Sequence, residues 1–196
     1  MEIKHATEFE LDKVCEILAT EFYNDPVLNH AFDDTDRERR MDALKSFFKI
    51  YVDLAKKYGG VLLAENELGV LVYFRPEMID IIDKNKIHEQ LRQKCEQYYS
   101  SVALLMDGLD HYHPQNIPHY YIFVIAVKSL HRRKGVAMTL LTKFNNILDK
   151  NKTPCYSECT TSGTQALFIK AGYVSSGQPI FIDEFPLLLP VWRDPK

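Results

Sequence analysis

The sequence predicts a mixed α/β protein built around one central sheet. The first observation behind this fold class is the hairpin pattern of residues 59–74, GGVLLAENELGVLVYF, in which two β-rich runs flank a polar turn. The second is residues 120–127, YYIFVIAV, a run that is apolar on both faces and therefore typical of a central strand. The third is the alternation of strands and helices along the chain, which favours a single sheet covered by helices.

The first half of the chain is predicted to form a strand, two helices and the hairpin. Thr7-Glu8-Phe9-Glu10 has the capping-box pattern that opens a helix, and apolar residues then recur at helical spacing as far as Phe22. Asn24-Asp25-Pro26 is expected to end this helix. A second helix is expected at about residues 36–57. The hairpin follows, closed by Arg75-Pro76.

The second half is predicted to contain three helices, four strands and a loop rich in histidine and proline. The predicted elements are, in order, a helix at 84–106, the loop at 106–119, the strand at 120–127, a helix at 135–150, a strand at 155–160, a helix at 164–172 and two final strands, YVSSGQPIFID and FPLLLPVW, antiparallel to each other. Gly172 is expected to end the last helix.

Composition is that of an ordinary soluble globular protein. The chain has 196 residues, of which 46% are apolar and 26% charged, so one domain covering residues 1–196 is expected. The net charge of −3 argues against a general nucleic-acid binder, whose domain is usually basic.

The cysteines and the N-terminus indicate a cytoplasmic location. Cys15, Cys95, Cys155 and Cys159 form no C-x-x-C pair, and reduced, partly buried thiols are expected rather than a zinc site or disulfides. The opening residues, MEIKHATEFELDK, lack the apolar core of a signal peptide, and no apolar run approaches the ~20 residues of a membrane span. We therefore expect a cytoplasmic protein with no membrane partner.

A cluster of positive charge precedes a helix at residues 131–141, HRRKGVAMTLL. The first amides of a helix lack intrahelical acceptors and carry part of the helix dipole, so such an end binds phosphate. Glycine lets an anion approach the backbone, and the cations add charge-assisted hydrogen bonds. A solvated basic turn is the alternative. The residues predicted to cradle a diphosphate are Arg132, Arg133, Lys134, Gly135, Val136 and Ala137.

The wider pattern A-V-x-x-x-x-R-x-x-G-x-A-x-x-L-L resembles the acetyl-CoA-binding signature of the GCN5-related N-acetyltransferases (the GNAT superfamily). The order of elements matches as well, and the resemblance covers nearly the whole chain. Within the superfamily the chain is similar to the puromycin-acetyltransferase-like branch, on the strength of three short matches. These are Glu21-Phe22-Tyr23-Asn24-Asp25-Pro26, Tyr120-Tyr121-Ile122 and Ser157-Glu158-Cys159-Thr160.

The resemblance implies a central mixed sheet of about seven strands flanked by helices, with two splayed parallel strands at 120–127 and 154–160. In this family the acyl-pantetheine arm of acetyl-CoA lies between those strands. Ile125, Ala126 and Val127 are then expected to line its path, with an N–H near Ile125 or Ala126 polarising the thioester carbonyl.

The family pattern also implies contacts at the helix that follows the second splayed strand. The asparagine usually found at the head of that helix is absent, and Thr161, Ser162 and Thr164 are expected to bind the cofactor instead. The residue that usually acts as the acid is a tyrosine, but this chain has Phe168 there, which cannot donate a proton. Phe168 stays among the expected cofactor contacts.

Three residues are candidates for catalysis. Glu158 is the candidate general base, because a desolvated carboxylate beside a cleft has a raised pKa; a structural carboxylate is the alternative. Tyr156 and Tyr173 are candidate acids, and core tyrosines are the alternative.

Three histidines precede the central strand. His111, His113 and His119 invite a metal hypothesis, but no further ligand stands at a telling spacing, so no metal is expected. A surface loop or the lining of an acceptor pocket remain the two interpretations.

The sequence therefore favours an acetyl-CoA-dependent N-acetyltransferase acting on a primary amine of a small molecule. One alternative is a catalytically weak or inactive CoA-binding sensor, and another is a protein N-acetyltransferase. No nucleic-acid partner is expected, and the protein is expected to be a monomer or a homodimer.

Overall fold

The computed structural model describes residues 1–77, 81 and 83–196. Within them a seven-stranded sheet has the strand order β1-β2-β3-β4-β5-β7-β6. The strands are β1 (Ile3–His5), β2 (Gly59–Ala64), β3 (Gly69–Phe74), β4 (Tyr120–Val127), β5 (Cys155–Cys159), β6 (Val174–Ser175) and β7 (Leu189–Arg193). The helices are α1 (Leu11–Glu21), α2 (Pro26–Ala31), α3 (Arg37–Tyr58), α4 (Lys84–Cys95), α5 (Tyr99–Tyr112), α6 (Val136–Asn151) and α7 (Ser162–Lys170).

The sheet is mixed, as the sequence predicts. Strands β1 to β4 form an antiparallel meander, β4 and β5 are parallel, and β7 pairs antiparallel with both β5 and β6. The parallel pair needs a crossover, and α6 supplies it. Any ligand site that depends on parallel strands is therefore confined to the β4–β5 pair.

Helices cover both faces of the sheet, and each face has its own apolar core. Residues of α1 to α5 pack with one face of the sheet around Phe47, Phe48 and Phe74. Residues of α6 and α7 pack with the other face around Phe144 and Phe168. Because side chains alternate along a strand, successive residues of β4 contribute to different cores, except at Phe123 and Val124, which both pack against the first.

Helix α1 ends just before residues 24–26, as expected, but the sequence analysis missed the short helix α2 that Asp25-Pro26 then begins. The Asp25 carboxylate accepts hydrogen bonds from the amides of Val27 (3.0 Å) and Leu28 (3.1 Å), so it is the N-cap of α2. Pro26 occupies the first turn, where its missing N–H costs nothing. The result is a sharp corner between α1 and α2 at residues 21–25.

The helix predicted at 84–106 is two helices, and the second is longer than expected. The α-helical conformation is interrupted at Glu96, whose φ is 45°, and α5 begins at Tyr99. Helix α5 then continues through Gly108 to Tyr112 and takes up the first part of the predicted loop. A Cβ at Gly108 would lie 2.7 Å from the Ile182 side chain, so this glycine permits close packing of the helix where a loop was expected.

The remaining expectations hold with shorter final strands. The hairpin, the central strand, the helix after Gly135 and the strand carrying Glu158 all form within one or two residues of the predicted bounds. The last two strands are antiparallel, but β6 has only two residues. All four cysteines are free and buried. Among the described residues, no helix combines the length and hydropathy that crossing a bilayer requires.

Candidate functional site

The parallel strands β4 and β5 separate soon after they begin. Their paired residues are Tyr120 with Cys155 and Tyr121 with Tyr156, and the ladder goes no further in the described chain. The Ser157 hydroxyl donates to the Ile122 carbonyl (2.9 Å) at the point of divergence. From there β4 stays paired with β3 and β5 with β7, so a split opens between them within an otherwise continuous sheet. The predicted splayed strands are present.

A bulge in β4 determines which backbone groups face this split. Val72 pairs with Val124 but Tyr73 pairs with Ile122, so Phe123 is an extra residue in β4. Further along, the Lys128 amide donates to the Leu68 carbonyl (2.9 Å) on the β3 side.

Backbone N–H groups point alternately to the two sides of a strand. Counting back from Lys128 therefore decides whether the N–H of Ile125 or that of Ala126 faces the split, which the sequence left open. The alternation directs the backbone groups of Ala126 toward β3 and those of Ile125 and Val127 toward the split. Of the two residues considered for polarising a carbonyl, Ile125 has its N–H on the correct side.

The loop between β4 and α6 presents a row of unpaired backbone amides. Gly135 is the N-cap of α6 and adopts a left-handed conformation (φ 86°), as does Arg133 (φ 60°). No acceptor within the described chain takes a hydrogen bond from the amides of residues 133–138. A Cβ built at Gly135 meets no atom within 4 Å, so a side chain at this position would project into open space. This arrangement can hold an anion.

Arg132 is used differently from the other two cations of this loop. Its Nη2 donates to Glu21 Oε2 (2.7 Å) and its Nε to the Val127 carbonyl (3.3 Å). Glu21 Oε1 also accepts from the Ser129 amide (3.0 Å). The sequence grouped Arg132 with the phosphate-binding residues, whereas the structure shows its guanidinium occupied in fixing the loop. Arg133 and Lys134 are exposed.

The hydroxyls predicted to bind the cofactor at the start of α7 form its cap. Thr161 Oγ1 accepts from the Thr164 amide (3.1 Å) and lies 2.9 Å from the Thr164 hydroxyl, while Ser162 is exposed. Phe168 is 1% exposed and packs edge-on against Tyr173 (4.9 Å between centroids). Phe168 is thus enclosed by the core and offers no surface to a ligand in this structure.

Glu158 lies on β5 at the split, and its carboxyl group is poised to take up a proton near neutral pH. Its Oε1 is buried and has no hydrogen-bond partner in the described chain. Burial raises the pKa of Glu158 from 4.5 to about 7, although the nearby hydroxyls of Tyr121 and Tyr156 act in the opposite direction. A carboxylate with this pKa is suited to general-base chemistry.

The two candidate tyrosines lie on opposite faces of the sheet. Tyr156 shares the face of Glu158, and burial together with the Glu158 charge raises its pKa. Tyr173 lies in the other core, where its hydroxyl donates to Asn145 Oδ1 (3.2 Å). The structure therefore brings Tyr156, but not Tyr173, into the neighbourhood of Glu158.

Two histidines form a hydrogen-bonded pair beside this cluster. His113 Nε2 lies 3.0 Å from His119 Nε2, and His119 Nδ1 lies 2.6 Å from the Ile117 carbonyl. A carbonyl can only accept, so His119 is protonated at Nδ1 and His113 donates from Nε2. Burial and the neighbouring His119 lower the pKa of His113 to about 4, which keeps its ring neutral. His113 therefore retains a bare acceptor at Nδ1.

A cavity of about 120 Å³ adjoins this cluster, with Tyr121 and His113 in its wall. Most of the lining is apolar, including the stacked rings of Tyr51 and Phe123 (4.5 Å between centroids). Two carboxylates of α5 also line it, and both are already paired: Asp107 with His88 (2.9 Å) and Asp110 with Lys84. A small molecule with an apolar body fits such a cavity.

His111, a possible metal cluster and two aromatic residues complete the description of the site. His111 is exposed and does not belong to the pair. No group of three or more His, Cys, Asp or Glu side chains suited to a metal occurs among the described residues. Phe74 lines the cavity, whereas Phe32 is in the core.

Sequence reasoning missed several contributors to this site. Tyr121 was quoted only within a short match at the start of the central strand, and the bulge at Phe123 has no sequence mark. Glu21 was quoted only as the first residue of a motif. In each case the function depends on a contact between distant segments, which a local pattern does not reveal.

Comparisons with solved structures agree with this geometry. A protein from Corynebacterium glutamicum, described as histone acetyltransferase HPA2 and related acetyltransferase, superposes with a TM-score of 0.73 at 20% identity, covering 99% of this chain and 96% of its own. Arylalkylamine N-acetyltransferase 2 from Aedes aegypti gives a TM-score of 0.61 at 17% identity, with 100% and 99% covered. An agmatine N-acetyltransferase gives 0.64 at 13% identity, with 98% of each chain covered.

No protein-family model matches the sequence, and no curated protein matches it. The similarity to the puromycin-acetyltransferase-like branch stays a prediction. The strand order, the split and the structural neighbours together show that the chain has the fold of the GCN5-related N-acetyltransferases.

Proposed function

We propose that this protein is an N-acetyltransferase that transfers the acetyl group of acetyl-CoA to a primary amine of a small molecule. The observation that carries the proposal is the split between β4 and β5, which lies between a row of unpaired helix-terminal amides and a buried carboxylate. The fold alone supports CoA binding, whereas the carboxylate supports chemistry.

Acetyl-CoA would bind with its diphosphate over the amides of residues 133–138 and its pantetheine arm along the free edge of β4. Arg133 and Lys134 would add positive charge, and Gly135 leaves room for the phosphates. The N–H groups of Ile125 and Val127 are placed to donate to the arm, and that of Ile125 to the thioester carbonyl.

Glu158 would serve as the general base. The nitrogen of the neutral amine attacks the thioester carbon, the C–S bond breaks, and the amine proton passes to Glu158. The departing thiolate takes its proton from Tyr156 or from solvent. Because Phe168 cannot supply that proton and Tyr173 is bonded to Asn145 in the other core, Tyr156 is the candidate on the correct face.

The cavity beside Tyr121 would hold the acceptor. Its volume of about 120 Å³ is below that of typical drug-sized ligand pockets, so it favours an amine of about one ring over a folded polypeptide. The bare Nδ1 of His113 would accept a hydrogen bond from the amine, which places the nitrogen toward Glu158. The small-molecule acceptor is in this way preferred to a protein acceptor.

One feature favours the alternative of a CoA-binding protein with little activity. Phe168 occupies the position of the family's usual acid and is sealed in the core. This alternative keeps the phosphate loop and the split but assigns no catalytic role to Glu158. A cytoplasmic location and a monomeric or homodimeric state also stay predictions.

The test is thiol release from acetyl-CoA with a panel of primary amines, run beside acetyl-CoA titration calorimetry. We expect binding together with release that depends on a small apolar amine such as 2-phenylethylamine. Binding without release for any amine would favour the inactive CoA-binding protein. Failure to bind acetyl-CoA would contradict the proposed function altogether.

A further inference from the structure

We propose that the corner between α1 and α2, residues 21–25, is a clamp that sets the distance between the free ends of β4 and β5. The inference rests on the proposed function, since the spacing matters only if the split receives a thioester arm. It assigns a positioning role to Glu21, Asp25 and Thr160, which lie outside the reacting groups.

One end of the corner holds the end of β4. Glu21 is the last residue of α1, and its side chain is 8% exposed. Its carboxylate accepts from the Ser129 amide (3.0 Å) and from Arg132 Nη2 (2.7 Å). Arg132 also reaches the Val127 carbonyl (3.3 Å), so Glu21 is linked to the last residue of β4 and to the loop after it.

The other end of the corner holds the end of β5. The Thr160 hydroxyl, one residue beyond the strand, donates to Asp25 Oδ2. The second oxygen, Oδ1, accepts from the amides of Val27 and Leu28. Both oxygens of Asp25 are thus engaged, which fixes the carboxylate between α2 and the end of β5.

The middle of the corner is anchored to the body of the protein. Arg40 of α3 is 5% exposed, donates from Nη2 to the Tyr23 carbonyl, and stacks over the Tyr23 ring (4.2 Å to the centroid). A buried cation with this partner holds the corner in place. The corner is therefore held in place by α3. The ends of β4 and β5 contact it through Glu21 and Asp25, which are four residues apart in the chain.

The distance between β4 and β5 needs such a fixed support, because no backbone hydrogen bonds of a ladder join the two strands beyond Tyr121 and Tyr156. Each strand is supported only on its outer side, by β3 or by β7. Pairing with an arm in the split requires a narrow range of distances between the two edges. The contacts of Glu21 and Asp25 are the bridges that the structure shows across the open end.

The test uses two variants of Thr160 that differ by one functional group. Thr160→Val keeps the shape but removes the hydroxyl, and Thr160→Ser keeps the hydroxyl. We expect Thr160→Val to weaken acetyl-CoA binding in calorimetry by about tenfold, as loss of a hydrogen bond to a charged group does, and Thr160→Ser to bind normally. Thr153→Val is the matched control, because the Thr153 hydroxyl bonds only the Asn151 carbonyl, at the opposite end of β5.

A second measurement separates a clamp from two independent stabilising contacts. Glu21→Gln releases the β4 end, and we expect it to weaken binding by a similar factor. In a clamp, loss of either contact is enough to let the distance between the ends of β4 and β5 vary. The double variant should therefore bind acetyl-CoA about as weakly as the single variant with the lower affinity. Fully additive losses would overturn the clamp.

The outcomes also distinguish the inference from the proposed function. If the unmodified protein binds acetyl-CoA and Thr160→Val binds equally well, the clamp is wrong and the proposed function stands. If the unmodified protein does not bind acetyl-CoA, the proposed function fails and the clamp fails with it. Equal weakening by Thr160→Val and Thr160→Ser would also contradict a role for the hydroxyl.

Discussion

The two regions that flank the split offer a ligand opposite kinds of groups. Residues 132–135 are exposed, and the amides of residues 133–138 have no acceptor in the described chain. The cluster around Glu158 is buried and presents side chains from several distant segments. Under the proposed function, the first region would recognise charge through the backbone, and the second would gain reactivity through desolvation.

This contrast teaches where substitutions act. In the loop, backbone donors remain when side chains change, so only substitutions that block or repel the anion should have large effects. Around Glu158, the pKa depends on burial, so a change of one atom in the carboxyl group alters the chemistry. The predictions below separate these two modes, from the largest expected effect to the smallest.

The largest effect is expected from negative charge in the loop. Asp and Asn are similar in size, and both tolerate the left-handed conformation of residue 135. Gly135→Asp should weaken acetyl-CoA binding by about 10²-fold or more relative to Gly135→Asn, because a carboxylate would face the diphosphate. Calorimetry on both variants measures the difference, and equal affinities would remove residue 135 from the anion site.

The next effect concerns the buried carboxyl group. Glu158→Gln should lower kcat by about 10²-fold while the affinity for acetyl-CoA stays the same, since the amide cannot accept the amine proton. Steady-state thiol release and calorimetry give the two quantities. Unchanged turnover would exclude Glu158 as the base.

A smaller effect is expected from the exposed cations. Arg133→Gln and Lys134→Gln should each weaken acetyl-CoA binding by about three- to tenfold at low salt, and less at high salt, because exposed charges are screened. Lys150→Gln, at the other end of α6, is the matched control. Losses that do not depend on salt would argue against an electrostatic role for either cation.

A separate prediction concerns stability rather than binding or turnover. The pKa of Glu158 is raised from 4.5 to about 7, so the folded state binds this proton more tightly than the unfolded state. The resulting stabilisation is complete below about pH 4.5 and is lost as the pH rises through about 7.

Glu158→Gln removes that loss, because the amide does not ionise. The free energy of unfolding of the variant, relative to the unmodified protein, should rise between pH 5 and pH 8 by up to about 3 kcal/mol. Urea unfolding at both pH values measures it. Curves that shift in parallel would contradict the raised pKa.

The contrast between the loop before α6 and the cluster around Glu158 also explains how much of the structure the sequence predicts. The sequence of residues 131–141 indicates a phosphate-binding loop, because the glycine, the cations and the start of a helix are adjacent in the chain. The sheet follows from local apolar patterns as well. By contrast, Asp25-Pro26 supports either the end or the start of a helix, and only packing decides between them.

The side-chain cluster could be predicted only in part. Glu158 was accessible to sequence reasoning because it is a carboxylate on a predicted strand beside the expected cleft. His113 was considered as a possible lining residue of an acceptor pocket, but its place beside Tyr121 was not predictable, because the bulge at Phe123 and the length of α5 determine which rings meet there. Likewise, nothing in the sequence separates Arg132 from Arg133, and only the contact with Glu21 does so.

The central claim is that acetyl-CoA occupies the split between β4 and β5. Hydrogen exchange with and without acetyl-CoA tests it most directly, because the amides concerned are unpaired in the free protein. The account predicts slowed exchange at Ile125, Val127 and residues 133–138, with no change at Ala126, which is paired to β3. Protection confined to other segments, or none at all, would contradict it.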